Sequence, residues 1–228
     1  MVQGGAVTAL FVFGDSQLDV GQTSFPHNGV DYPGHLATGR FSNGHNLADF
    51  MAYRSISNTT ENYSIFLNGV NFASGGAGVL DITNKVRSVG TIRGAIGLVI
   101  SLDEQIERDY SSVYEGLVQK LGKNHASIHL ARSIFAVGTS GNDIATCVLT
   151  DPTNQLLALL KSACCGLGDN TAQLICMPMN TLCANRRNHI FWDGGHLTEI
   201  TTEKLAGVTF YGSVPLVSPV NLKQLSAL

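Results

Sequence analysis

The stretch that decides the fold class is Ala6–Phe13, AVTALFVF, an apolar run that ends abruptly at Gly14–Ser16. A short continuous apolar run bounded by a turn signal predicts a strand buried on both faces of a parallel sheet. Ser133–Val137, SIFAV, is a second run of this kind and leads into another glycine-containing turn, Gly138–Asp143. Gly75–Gly78 is a third such turn. Functional residues of parallel sheets gather at the carboxyl ends of strands, so we expect a site where these turns meet.

Helices are predicted between and after the strands. In Leu98–Leu121, the apolar residues Ile106, Val113 and Leu117 recur near helical spacing, and Gly122 ends the pattern. The other predicted helices are His45–Arg54, Asp151–Ser162 and a final one at Leu197–Leu205; Asn68–Leu80 is predicted to be a strand that leads into a glycine-rich turn, and Val20–Asn46 and Cys164–Asn188 to be loops. Strands that alternate with helices indicate an α/β fold with a mainly parallel sheet.

The composition is that of a globular protein with one domain, or two small ones at most. The chain has 228 residues, of which 44% are hydrophobic and 14% charged, and this excludes a disordered chain. A formal net charge of −3 gives no electrostatic reason to expect nucleic acid or an anionic membrane as a partner. The longest apolar runs are too short to span a bilayer, so we expect a soluble protein without stable membrane insertion.

The cysteines and sequons favour an oxidising compartment. Four of the five cysteines fall within 20 residues; the full set is Cys147, Cys164, Cys165, Cys176 and Cys183. No Cys-x-x-Cys spacing occurs, which favours a local disulfide framework over zinc and leaves at least one thiol free or paired elsewhere. Glycosylation sequons begin at Asn58 and Asn62. Met1–Gly5 lacks the charged start and apolar segment of a signal peptide, so we expect that one was either removed or never present.

Three residues could form a nucleophilic group. Ester hydrolysis through a covalent intermediate requires a nucleophile, a base, a group that orients the base, and donors for the oxyanion. Ser16 follows a predicted strand, while Asp193 and His196 are close enough in sequence for the carboxylate to hold the imidazole tautomer. A loop serine and a helix cap followed by a surface histidine are the ordinary alternatives. His189 with Asp193 and His196 is an alternative set of metal ligands.

Two segments are candidates for the oxyanion hole. The N–H groups of Gly75 and Gly76 can approach a substrate closely because glycine has no side chain. Asn142, after Gly141, offers a side-chain amide from another strand end. Ordinary turns are the alternative for both segments.

Six segments form an ordered set of motifs along nearly the whole chain. They are FVFGDSQLDVG (11–21), ATGRFSNGHNLADF (37–50), FLNGVNFASGGAGVLD (66–81), GTSGNDI (138–144), ACCGLG (163–168) and NHIFWDGGHLTE (188–199). Together, and in this order, they resemble the plant GDSL esterase/lipase family of the SGNH hydrolase superfamily. No Gly-x-Ser-x-Gly elbow, as found in α/β-hydrolases, surrounds Ser16.

The resemblance implies a three-layer α/β/α, flavodoxin-like fold with a mainly parallel sheet. It assigns these roles: the nucleophile is Ser16, its partners are His196 and Asp193, and the oxyanion donors are the N–H groups of Ser16 and Gly76, with Gly75 as the neighbouring possibility, and the Asn142 amide. It further implies a usually secreted hydrolase of small-molecule or lipid esters that uses no metal or organic cofactor.

The chain departs from the family pattern at Gln17, where an apolar residue is usual, at Ser140, where glycine is usual, and at Leu197, where proline is usual. None of these residues would react with the substrate. The larger departure is length, because only 50 residues separate Asn142 from Asp193. We therefore expect a single domain, 1–228, that lacks family segments near 52–64 and 145–163.

The shortened chain leaves several functional interpretations. The residues favour a carboxylic ester hydrolase. An acyltransferase of the same family would use the same acyl-enzyme and pass the acyl group to an alcohol. A shortened, inactive homologue could act as a binding protein, because misplacement of catalytic groups by about 1 Å can cost about a hundredfold in rate. An incomplete gene product with little stable structure is a further alternative.

Overall fold

The computed structural model describes residues 7–21, 27–51, 65–80, 83, 99–139, 141–143, 163–166, 176–178 and 180–227. Several predictions fall on other residues and therefore lie outside the described part of the chain. These are the helix Asp151–Ser162, the sequons at Asn58 and Asn62, Cys147, the departure at Ser140 and the shortened segments near 52–64 and 145–163.

Two parallel strands carry the described part of the sheet. Strand β1 (Leu10–Gly14) pairs in register with β2 (Ile134–Gly138), so that the last residues of the two strands lie opposite each other. A third segment runs along the other edge of β1. There, Val12 N–H donates to the Val70 carbonyl at 2.9 Å, and Phe72 N–H donates to the Val12 carbonyl at 2.7 Å. The strand predicted over Asn68–Leu80 is therefore only an isolated parallel bridge near Asn71.

Apolar clusters cover both faces of β1. The cluster on one face contains Ala9, Phe11, Phe13, Phe72, Val113, Leu117 and Ala126. The cluster on the other face contains Val12, Leu18, Val20, Ala48 and Ala73. Successive β1 side chains point to opposite faces and every second one enters the same cluster, as expected for a strand buried on both sides. The same expectation is wrong for β2, because Phe135 and Val137 on one of its faces are 44% and 60% exposed.

Helices supply the outer layers. They are α1 (Leu47–Phe50), α2 (Leu102–Glu104), α3 (Ser111–Leu121), α4 (Lys123–Ala131), α5 (Glu199–Tyr211) and α6 (Leu222–Leu225), with a π-helical stretch (Gln105–Tyr110) joining α2 to α3 and 3₁₀ turns at Ile65–Asn68 and Arg186–Asn188. The α3 and α4 residues pack on one face of β1, and α1 packs on the other. The predicted α/β class with a parallel sheet is confirmed. None of the described helices is long and apolar enough to cross a membrane.

The predicted long helix is correct at its end and displaced at its start. It was expected over Leu98–Leu121 and begins at Leu102, because the Ser101 hydroxyl accepts a hydrogen bond from a backbone N–H of the first turn. It ends before Gly122, whose φ of +78° stops the helical hydrogen-bond pattern.

Two other predicted helices have different bounds, and one helix was not predicted. The helix α1 occupies only Leu47–Phe50 of the described part of the predicted His45–Arg54. The helix predicted over Leu197–Leu205 is α5, which begins after the N-cap Thr198, and it is not the last helix because α6 follows. No helix was expected at α4, where Ala126 is the one buried residue and no apolar stripe is present.

Two disulfides close the segment that leads to the predicted aspartate. They join Cys164 to Cys183 and Cys165 to Cys176. The four cysteines pack around the fully buried Trp192. The indole N–H of Trp192 donates a hydrogen bond to Asn28 Oδ1 at 3.0 Å. The expected local disulfide framework is therefore present.

The contact between β1 and β2 at Gly14 yields a stability prediction. A Cβ atom at Gly14, where φ is +145°, would lie 2.0 Å from the Gly138 carbonyl oxygen. We expect Gly14→Ala to lower the free energy of unfolding by about 3 kcal/mol in urea denaturation, through strain and overpacking. Gly207→Ala in α5 is the control: no atom lies within 4 Å of the added Cβ, and the change should raise stability by about 0.5–1 kcal/mol. A Gly14→Ala protein as stable as the wild type would contradict this packing.

Candidate active site

Ser16, His196 and Asp193 form a continuous hydrogen-bonded line. His196 Nε2 lies 2.8 Å from Ser16 Oγ, and His196 Nδ1 lies 2.6 Å from Asp193 Oδ1. All three residues are buried. With Nδ1–H donated to the carboxylate, Nε2 is left to accept the serine hydroxyl proton. The structure thus brings together the three residues that the sequence nominates.

The turn after β1 positions Ser16. Asp15 N–H donates to the Gly138 carbonyl at 3.1 Å and so ties the turn to the end of β2. The N–H groups of Leu18 and Asp19 both donate to the Asp15 carbonyl, at 3.0 and 3.1 Å. The chain therefore turns sharply around Ser16 and leaves its side chain facing His196.

The Asp193 carboxylate is held by backbone donors. Its Oδ1 accepts hydrogen bonds from Gly195 N–H and His196 N–H, each at 3.0 Å, in addition to the imidazole. Its Oδ2 accepts from Cys176 N–H at 2.8 Å. A buried carboxylate without such donors would be costly, and these bonds satisfy its oxygens and orient it towards the imidazole. Because Cys176 is disulfide-bonded to Cys165, the disulfide framework reaches the carboxylate directly.

Phe41 joins the histidine to the glycine-rich loop. Its ring stacks on the His196 imidazole, with 5.0 Å between centroids and 26° between planes. The same ring leaves no room for a side chain at Gly75, where an added Cβ would lie 2.6 Å from two ring carbons. Phe41 belongs to the second motif, but its stacking on the histidine was not predicted from the sequence.

The candidate oxyanion donors lie in two loops at neighbouring strand ends. Gly75 N–H donates to Asp19 Oδ2 at 2.8 Å and is therefore already occupied. No acceptor in the described part of the chain is recorded for the N–H groups of Gly76, where φ is +86°, or Ser16. The Asn142 amide donates one hydrogen to the Ala77 carbonyl at 2.8 Å and has a second available. These contacts favour Gly76 over Gly75.

Asp143 ties the two loops together. Its carboxylate accepts hydrogen bonds from Leu80 N–H, Val79 N–H and the Thr83 hydroxyl at 3.0, 3.1 and 2.8 Å. Burial opposes ionisation of this carboxyl, but the three donors outweigh burial and lower the pKa of Asp143. An ordinary turn was the alternative expectation for the Asn142 segment. Through Asp143, this turn also holds the end of the glycine-rich loop.

Gln17 makes a contact that its usual apolar counterpart could not make. Its side-chain amide donates to the Gly195 carbonyl at 2.7 Å and so bridges the serine turn and the Asp193–His196 loop. At Leu197, another departure, the backbone forms an isolated antiparallel bridge with Phe191. The hydrogen bonds on either side of this bridge run from Trp192 N–H to the His196 carbonyl and from Thr198 N–H to the Ile190 carbonyl.

The metal-site alternative has no geometric support at His189. Its Nδ1 pairs with the Asn185 carbonyl at 3.0 Å, while Asp193 pairs with His196 and His196 pairs with Ser16. Among the described residues, no group of three or more His, Cys, Asp or Glu side chains is placed to hold a metal ion.

A cavity of about 480 Å³ lies elsewhere and includes neither Ser16 nor His196 in its lining. Its walls include Phe50, Ile200 and the ion pair between Asp31 and Arg186, whose charged atoms are 2.7 Å apart. This cavity is therefore separate from the candidate nucleophile.

Comparison with known proteins identifies the family. The model of the family described as GDSL-like Lipase/Acylhydrolase matches residues 10–207. A GDSL esterase/lipase of Arabidopsis thaliana is 24% identical over 349 aligned positions, which cover 96% of this chain and 90% of the relative. Another from the same plant is 25% identical and covers 99% of this chain and 92% of the relative. A third is 34% identical over 156 positions, 61% of this chain and 42% of the relative. The chain therefore belongs to the GDSL-like lipase/acylhydrolase family and is a serine esterase/lipase of that family.

Proposed function

We propose that this protein hydrolyses carboxylic esters through an acyl-enzyme formed on Ser16. The observation that carries the proposal is the line from Ser16 Oγ to His196 Nε2, 2.8 Å, and from His196 Nδ1 to Asp193 Oδ1, 2.6 Å. These distances are those required for proton transfer and for orientation of the base.

In the first half of the reaction, Ser16 Oγ attacks the ester carbonyl carbon and its proton passes to His196 Nε2. The bond between the carbonyl carbon and the alcohol oxygen then breaks, and His196 gives the proton to the leaving alcohol. Asp193 stabilises the imidazolium that forms between these two events. In the second half, water attacks the acyl carbon, His196 takes a proton from the water, and Ser16 recovers a proton as the acid leaves.

The negative charge of each tetrahedral intermediate needs donors that are not already engaged. The N–H groups of Ser16 and Gly76 and the second hydrogen of the Asn142 amide fill this role in our proposal. Asp143 helps to hold these donors in place, because its carboxylate accepts hydrogen bonds from the N–H groups of Val79 and Leu80, which follow the glycine turn. Donors fixed in advance stabilise the transition state without reorganisation.

Small or lipid-like esters are the proposed substrates. The similarity to plant esterases/lipases supports this class. The exposed apolar residues Val79 and Leu80, directly after the glycine turn, offer a surface for an acyl chain. A role in lipid degradation follows as part of the same proposal.

We further propose a secreted glycoprotein with one domain, 1–228. The two disulfides support an oxidising compartment, and the sequons at Asn58 and Asn62 support glycosylation. The domain would lack family segments near 52–64 and 145–163. The alignment with the first relative supports this, because its 349 positions exceed the 228 residues of this chain.

Ser16→Ala tests the nucleophile. With a p-nitrophenyl ester, the wild type should release a burst of p-nitrophenol close to one equivalent per chain, followed by steady turnover, because the good leaving group makes acylation faster than deacylation. The variant should show no burst and a kcat/KM lower by at least about 10³-fold. Ser112→Ala, an exposed serine of α3, is the matched control and should behave as the wild type. Unchanged hydrolysis by Ser16→Ala would refute the mechanism, and a folded wild type without turnover would favour the binding-protein interpretation.

Asn142→Ala tests the oxyanion hole. Loss of one donor that acts in the transition state should lower kcat by about 10²–10³-fold with little change in KM. Because Asn142 also holds the Ala77 carbonyl, thermal unfolding is measured in parallel to separate instability from catalysis. Asn124→Ala, an exposed asparagine of α4, serves as the control. A kcat close to that of the wild type in the Asn142 variant would remove this residue from the proposal.

A further inference from the structure

Gln105 is a polar side chain in the interior that the proposed reaction does not use. It is 0% exposed and lies at the start of the π-helical stretch. Its Oε1 accepts a hydrogen bond from Gly14 N–H at 2.9 Å, and its Nε2 donates to the carbonyls of Gly14 at 2.9 Å and Ile100 at 3.0 Å. Both amide hydrogens are therefore engaged, and both backbone polar groups of Gly14 bind the same carboxamide.

At the end of β1, the carboxamide makes one of the hydrogen bonds that a neighbouring strand would make to Gly14. Along that edge, Val12 pairs with the backbone of residues 70–72. A regular parallel ladder would continue with Gly14 N–H donating to the Phe72 carbonyl, but this N–H donates to Gln105 instead. Gly14 is two residues before Ser16, so Gln105 fixes the last peptide before the nucleophile turn.

The same side chain is connected to the loop of the candidate oxyanion donor. The Ile100 carbonyl accepts from Gln105, and Ile100 N–H donates to the Ser74 hydroxyl at 3.0 Å. Ser74 N–H in turn donates to the Gly14 carbonyl at 3.0 Å. These bonds form a closed ring, and Ser74 is two residues before Gly76.

We propose that Gln105 is a positioning residue that sets the Ser16 turn relative to the Gly76 loop. This inference rests on the proposed function, because it assigns to Gln105 the alignment of the nucleophile with its oxyanion donor. A polar side chain buried only for stability needs partners, but it does not need one at the end of β1 and another, Ile100, that is bonded to the second loop through Ser74. A displacement of the loops by about 1 Å would cost about 10²-fold in rate.

Gln105→Leu and Gln105→Glu test the proposal on the full chain, with p-nitrophenyl butyrate as the substrate. We expect Gln105→Leu to lower kcat by about 10–100-fold while KM changes less than about threefold, at temperatures well below unfolding. The matched controls are Gln119→Leu and Gln119→Glu, since Gln119 is an exposed glutamine of α3. A kcat within threefold of the wild type for a folded Gln105→Leu protein would overturn the proposal.

Gln105→Glu adds a readout that a structural role would not produce. An ionised carboxylate would oppose the Gly14 and Ile100 carbonyls, whereas the protonated acid can donate to one of them. The ratio of the variant's kcat to that of the wild type should therefore rise as the pH falls. A pH-independent ratio for a folded variant would contradict the positioning role.

Hydrogen–deuterium exchange separates this inference from the proposed function. In both Gln105 variants, amide exchange should accelerate in peptides that cover residues 10–18 and 70–80, while α5 stays unchanged. A wild type without Ser16-dependent hydrolysis would refute the proposed function, and unchanged exchange in the two loops would refute the linkage through Gln105. Ser16-dependent hydrolysis in the wild type with unaltered Gln105 variants would refute only the positioning role.

Discussion

The close approach of β1 and β2 at Gly14 and Gly138 places the nucleophile turn against the next strand end. A side chain at Gly14 would collide with the Gly138 carbonyl, so the two strand ends meet only as backbone. The Gly14 peptide is fixed on its other edge by the Gln105 carboxamide and by Ser74 N–H. The loops that carry Ser16, Gly76 and Asn142 therefore begin next to one another at this edge of the sheet, and each carries one part of the candidate site.

The segment that carries Asp193 and His196 is held differently. It has no strand of the described sheet beneath it, and in the described residues it is fixed by two disulfides, the buried Trp192 and Phe41 stacked on the imidazole. Disulfides stabilise mainly by limiting the unfolded chain, by about 3 kcal/mol for a loop of about 15 residues. In the described residues, local cross-linking and the bond from Gln17 to the Gly195 carbonyl therefore hold this segment without pairing to the sheet.

Much of the fold could be predicted from the sequence, because short apolar runs and glycine turns are local signals, although the burial of β2 on both faces was wrongly expected. The apolar runs located β1 and β2, and the ordered motifs located Ser16, Asp193 and His196 before any distance was known. The long helix was harder to predict. Its spacing placed Ile106 on the buried face, yet Ile106 is 44% exposed and Gln105 is fully buried. The π-helical stretch inserts an extra residue per turn, and no regular period can reveal that shift. The partners of Gln105, Phe41 and Cys176 are distant in sequence, so their contacts with the site depend on tertiary structure.

The central claim is that Ser16 is activated by His196. Reaction of the folded protein with a fluorophosphonate probe, followed by peptide mass spectrometry, tests it most directly. The probe should modify Ser16 at close to one equivalent per chain, and unfolding with urea should abolish the reaction. A folded protein that does not react, or that reacts at another serine, would contradict the account.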